Sequence, residues 1–116
     1  MGGAVLTVWH KSMDSAKWGR FPVEKQILMI GSEFARAKNL LRDNVGAEVI
    51  QCYERAFELL DLCVMDPRWR PRLKELLRFR EMLGELYMHV SKDDPMFMMM
   101  YRTLMNWSGS TSRVEL

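Results

Sequence analysis

The sequence predicts an all-α protein, an antiparallel bundle of four main helices preceded by a short helical segment. Three observations predict it. Apolar residues recur at spacings of three and four over most of the chain, and Pro, Gly and Asn/Asp positions break this pattern only briefly, leaving turns short enough to fold successive helices back on one another. After residue 9, apolar residues nowhere alternate at period two, as a half-buried strand requires. The 116 residues fit a single helical domain. A chain of that length buries roughly two thirds of its unfolded surface, enough for a core without staples. With 48% hydrophobic and 28% charged residues, the composition excludes a disordered chain.

Residues 1–21 carry the weakest pattern. Within them Ser12 and Asp14 can cap a short helix through Trp18, which Gly19 would end. The first main helix is expected over about 22–43. Pro22 suits its first position and Glu24 its first turn, and Val23, Ile27, Ile30, Phe34, Ala37 and Leu41 form one stripe that stops near Asn44 and Gly46. The second, about 46–65, carries two seams: Ile50, Tyr53, Phe57, Leu60 and Val64 beside Val49, Cys52, Ala56, Leu59 and Cys63. A face that wide needs neighbours on two sides, which makes this the expected central helix.

Asp66-Pro67 breaks that helix and Pro71 opens the third, about 71–90, with Leu76, Phe79, Leu83, Leu86 and Val90 inward and Leu73, Leu77, Met82 and Tyr87 widening the face. Ser91 to Pro95 reads as turn, cap and N1 proline for a fourth helix over about 95–107, and the tail 109–116 is expected to be flexible.

Ile30-Gly31-Ser32-Glu33-Phe34 and Leu83-Gly84-Glu85-Leu86-Tyr87 share an aliphatic residue, a glycine, two residues and an aromatic ring. Glycine inside a helix costs about 1 kcal/mol against alanine, so a close approach of a second helix is expected at both. The pattern is similar to the Leu-Gly-x-x-Tyr of tetratricopeptide helices, and the resemblance implies an alternative architecture of two tetratricopeptide-like hairpins. The chain departs from that family in three ways. Its two glycines are 53 residues apart rather than about 34, no tryptophan stands at the family's position ahead of either, and Met96 and Thr103 stand where alanines belong.

No catalytic constellation can be assembled, so a non-enzymatic protein is expected, with no cofactor and no metal. His10 and His89 are the only histidines; Glu85 and His89 are four apart on one helix face, which an exposed ion pair explains as readily as a ligand pair. Cys52 and Cys63 are separated by about three helical turns, roughly 16 Å, too far to bridge, and both fall on the apolar seams as inert core. Unpaired thiols, an apolar N-terminal run too short for a signal peptide and the lack of any membrane-length apolar stretch give a cytoplasmic expectation.

Two surfaces remain as candidates. The run Met96-Phe97-Met98-Met99-Met100-Tyr101, extended by Met105 and Trp107, is apolar all round a short helix. One face must enter the core, and the rest is covered either by the N-terminal segment Val5 to Trp9 or by another chain. Methionine adapts to irregular partners, so Met96, Met98, Met99, Met100, Tyr101, Met105 and Trp107 are the expected partner-binding residues. The partner expected is the chain itself, as a homodimer, or another protein; no membrane is expected.

The alternative is a nucleic-acid- or phosphate-binding surface at 68–80, where Arg68, Arg70, Arg72, Lys74, Arg78 and Arg80 face only Glu75 in opposition. Arg68, Trp69, Arg70, Arg72, Lys74 and Arg78 could converge on an anion near a helix N-terminus, with Trp69 stacking on a base. The competing intramolecular reading pairs these cations with the acidic stripe Glu54, Glu58, Asp61 and Asp66 of the second helix.

Overall fold

A computed structural model describes residues 13–44, 46–91 and 94–108. The expected N-terminal segment Val5 to Trp9, Ser12, His10 and the tail 109–116 lie outside the described residues. Helix α1 (Ser15–Trp18) starts where the Asp14 carboxylate accepts from the Lys17 amide at 2.8 Å and ends at Gly19. The main helices are α2 (Val23–Arg42), α3 (Gly46–Met65), α4 (Leu73–Met88) and α5 (Pro95–Trp107). A six-residue 3-10 helix, Pro67–Arg72, links α3 to α4.

The turn chemistry explains each boundary. Asn44 ends α2 in the left-handed region at φ 60°, which asparagine tolerates better than most residues. Asp94 caps α5 by accepting from the Met96 amide at 2.9 Å, ahead of Pro95.

The third main helix is shorter than the sequence suggests, 73–88 rather than 71–90. Pro67 stands at the first position of the 3-10 helix, where its missing N–H has no bond to make, and Pro71 lies inside it, so the α-helical ladder starts only at Leu73. At the other end the His89 amide closes α4 on the Glu85 and Leu86 carbonyls, which leaves Val90 past the helix and exposed.

The four main helices form a ring. Each packs against the next in the opposite sense: Gln26 beside Cys63 and Phe34 beside Tyr53 for α2–α3, Asp61 with Arg80 and Glu54 with Tyr87 for α3–α4, and Phe34 beside Phe97 with Gly31 against Met105 for α2–α5. The ring closes between α4 and α5, which touch only lightly. Phe34 sits at the middle, its ring centroid 6.5 Å from Tyr53, 5.7 Å from Phe79, 5.5 Å from Phe97 and 6.1 Å from Tyr101, so every main helix contributes an aromatic ring to the centre. Burial raises the Tyr53 phenol well above its ordinary pKa.

Helix α3 is the central helix the sequence predicts, packing against α2 and α4 and also against α1 and the 3-10 helix, while Gln26, Gly31 and Glu33 widen the buried face of α2 beyond its apolar stripe. One expectation is corrected by this packing. The alternative of two tetratricopeptide-like hairpins is not the arrangement found: α5 lays its buried face mainly on α2, not on α4. A β-carbon at Gly31 would lie 2.5 Å from Met105 Cε, the close approach that the mid-helix glycine implied, whereas at Gly84 it would meet nothing within 4 Å.

Candidate functional site

Two regions stand apart from the apolar core. The first is a buried polar latch joining α1, α2, the end of α3 and the 3-10 helix. Gln26 is fully buried, and its amide uses its full bonding capacity. Nε2 donates to the Trp18 carbonyl at 2.9 Å and to Asp66 Oδ2 at 3.0 Å; Oε1 accepts from Trp69 Nε1 at 2.7 Å and from the Cys63 thiol at 3.9 Å.

Asp66 in turn accepts from the Arg68 backbone amide and guanidinium, and Arg68 Nη2 reaches on to the Gly19 and Phe21 carbonyls at 3.1 and 2.9 Å. The Arg68 guanidinium beside it holds the Asp66 carboxyl well below the usual carboxylate range. Burial pushes the Cys63 thiol up to about 12, and the Trp18 indole N–H, the nearby group that opposes this shift, makes no hydrogen bond among the described residues. Desolvation likewise raises Cys52, and both cysteines are free. Thiols held protonated in this way are poor nucleophiles.

Glu33 is a second buried polar group, at the α2–α3 seam. It accepts from Arg55 Nε at 2.9 Å and from Arg36 Nη1 at 2.7 Å. The pattern of the sequence carried a signal for Gln26 and Glu33 that a search for apolar residues passes over. Each stands three residues after and four before stripe positions (Val23 and Ile30; Ile30 and Ala37), so both lie on the packed side of α2.

The latch decides much of the basic run. Trp69 is 1% exposed and packed at 5.8 Å from Trp107, so its face is not open to a base. Arg68 is held by Asp66, Arg80 pairs with Asp61 at 2.6 Å, and Arg72 Nη1 donates to the Trp107 carbonyl at 3.1 Å. The acidic stripe of α3 thus engages two of the cations, while its Glu54 accepts from the Tyr87 hydroxyl at 2.8 Å, which raises that phenol's pKa. Arg70, Lys74 and Arg78 are exposed, with no hydrogen-bond or ion-pair partner among the described residues.

The second region is a groove of about 340 Å³ between α4 and α5, lined by Glu75, Arg78, Phe79, Met82, Met99, Met100, Thr103 and Trp107. The methionine-rich helix divides as its periodicity requires. Met100 is 1% exposed and belongs to the core with Phe97 and Leu104, which corrects its placement on the partner-binding surface. Met96, Tyr101, Met105 and Trp107 are half-buried against that core. Met98 and Met99 stand out, 39% and 47% exposed.

A concavity of similar volume lies between the end of α2 and the start of α5, lined by Lys38, Leu41, Arg42, Asp94, Pro95, Phe97 and Met98. There the Asp94 carboxylate already caps the α5 N-terminus.

Among the described residues no group of three or more His, Cys, Asp or Glu side chains could hold a metal, and no helix is long and apolar enough to cross a membrane. Comparison with protein-family models, with curated proteins and with solved structures found no match.

Proposed function

We propose that the chain is a non-enzymatic protein-interaction module that binds through α5 and the groove beside it. The observation that carries this reading is the state of α5. Its core face is used on α2, yet Met99 stays exposed at an apolar groove where α4 and α5 barely meet, and Met98 stays exposed at the concavity between α2 and α5. Unbranched thioether side chains at the mouth of such a groove can repack around an incoming side chain at little cost in strain. The two exposed methionines of the helix are therefore positions where contact with another chain removes apolar surface from water.

Substitution at these positions tests the reading. Met98→Glu and Met99→Glu are expected to leave stability within about 0.5 kcal/mol, since neither side chain is part of the core. They are expected to abolish association, read as molar mass by light scattering behind size exclusion for a second copy, or as lost binding for another protein. If both variants associate as the unmodified chain does, α5 is not the interface.

A further inference from the structure

We propose that the occupant of the α4–α5 groove is an amphipathic helix of a partner protein that carries acidic residues beside its apolar anchors. This rests on the reading of α5 as a protein-binding surface and goes on to name what binds. Two observations select the occupant, one of area and one of charge.

The area argument concerns a second copy. Homotypic pairing through a stable interface takes about 800 Å² per partner. The large apolar side chains standing proud on α5 are Met98 and Met99, and of these only Met99 lines this groove. Beside Met99 the walls are the partly buried Met82 and Trp107, over a floor of buried Phe79 and Met100, a narrow concavity rather than a flat face. A single helix laid along it can seat side chains one turn apart against Met82, Met99 and Trp107, in the manner of helix-in-groove recognition.

The charge argument concerns sequence. At the Trp107 end, Arg78 is on the groove wall and Lys74 lies one turn before it on the same side of α4. Arg72 is engaged on the Trp107 carbonyl, at the negative C-terminal end of α5. That end lies against the positive N-terminal end of α4, so the two dipoles offset one another and the positive field at this edge rests on Lys74 and Arg78. Glu75 is the one acid on the wall. A field of that sign favours carboxylates at the flank of the docked helix and repels lysines there. Nucleic acid would satisfy the charge but not the groove, whose floor is apolar, and the aromatic ring within the basic run, Trp69, is buried.

The test is a displayed library of 16-residue helices with Leu, Met, Phe, Glu and Lys allowed at the varied positions, selected against the full chain. Enriched members are expected to place apolar residues at i, i+3/i+4 and i+7 with a net negative flank. A synthetic copy of one should bind saturably by fluorescence anisotropy. Lys74→Glu with Arg78→Glu should weaken it at least tenfold and turn the selection towards lysine flanks, a swap that loss of folding cannot imitate. Met99→Glu should weaken both peptides.

Enrichment without charge bias, or affinity indifferent to the α4 reversal, overturns the proposal. If the chain's own association is nevertheless lost in Met99→Glu, only the acidic occupant falls and the α5 interface stands. If Met98→Glu and Met99→Glu change neither peptide binding nor association, both fall. A labelled single-stranded oligonucleotide that displaces the peptide and loses binding in the α4 reversal would assign the groove edge to nucleic acid and also overturn the proposal.

Discussion

The latch around Gln26 and the groove between α4 and α5 lie at opposite extremes of how this chain treats what it buries. In the latch, four polar side chains are bonded to one another and to three backbone carbonyls with almost no capacity left over. In the groove, two helices that should complete a ring stop short of full contact and are lined by side chains with several rotatable bonds. A buried polar group left unpaired costs about 1–3 kcal/mol, so a network of them tolerates one geometry only. An apolar groove lined by methionine pays no such penalty and has many near-equal packings. The first kind of region specifies the fold; the second leaves room for another chain.

Breaking the latch should therefore cost far more stability than breaking the groove. The largest effect is expected from Trp69→Ala, which removes a fully packed ring and leaves Gln26 Oε1 only the long contact from the Cys63 thiol: a loss of about 3–5 kcal/mol, measured by urea denaturation. Gln26→Leu fills a similar volume but leaves the Trp69 indole N–H without its acceptor, while the Trp18 carbonyl keeps only its bond from the Phe21 amide. A loss of about 1–3 kcal/mol is expected, and a neutral result would mean that the latch is not fully desolvated.

Acid should act on the same region. Asp66 has a depressed pKa in the folded chain, so its contribution is complete above the unfolded value of about 3.9 and is lost as pH falls below it towards the folded value. Asp66→Asn should flatten the decline in stability below about pH 4 while lowering stability at neutral pH.

The two mid-helix glycines give the smallest and most local comparison. Gly84→Ala is expected to stabilise by about 0.5–1 kcal/mol, because the new methyl meets open space and the helix gains propensity. Gly31→Ala should gain less or lose, because the Met105 thioether must move. Equal melting midpoints for the two variants would show that the α2–α5 contact yields freely, which would extend the loose packing of the groove to the other side of α5.

The latch and the groove also differ in how far the sequence announced them. Only the fold separates exposed Met98 and Met99 from buried Met100, whereas the helix periods and the Asp14, Asn44 and Asp94-Pro95 boundaries all follow from local rules, since spacing and capping act within a few residues. The roles of Gln26, Glu33 and Asp66 did not, although two of them occupy stripe positions. A polar side chain there reads as an interruption until its partner is known, and the partners are 40 residues away for Asp66 and 22 for Arg55. The basic run was conspicuous in the sequence, yet only the fold separates Arg68, Arg72 and Arg80, which are held internally, from Arg70, Lys74 and Arg78.

What the sequence determined alone was therefore the main helices and their amphipathic faces, though not the ends of α4, because these faces depend on interactions a turn or two long. What only the tertiary structure decided was which faces meet, and hence that α5 closes on α2 rather than α4. That choice depends on long-range shape: Gly31 admits Met105 and lets α5 come close, while nothing fills the space above Gly84. The groove is the consequence of that choice, and with it the surface proposed here for a partner.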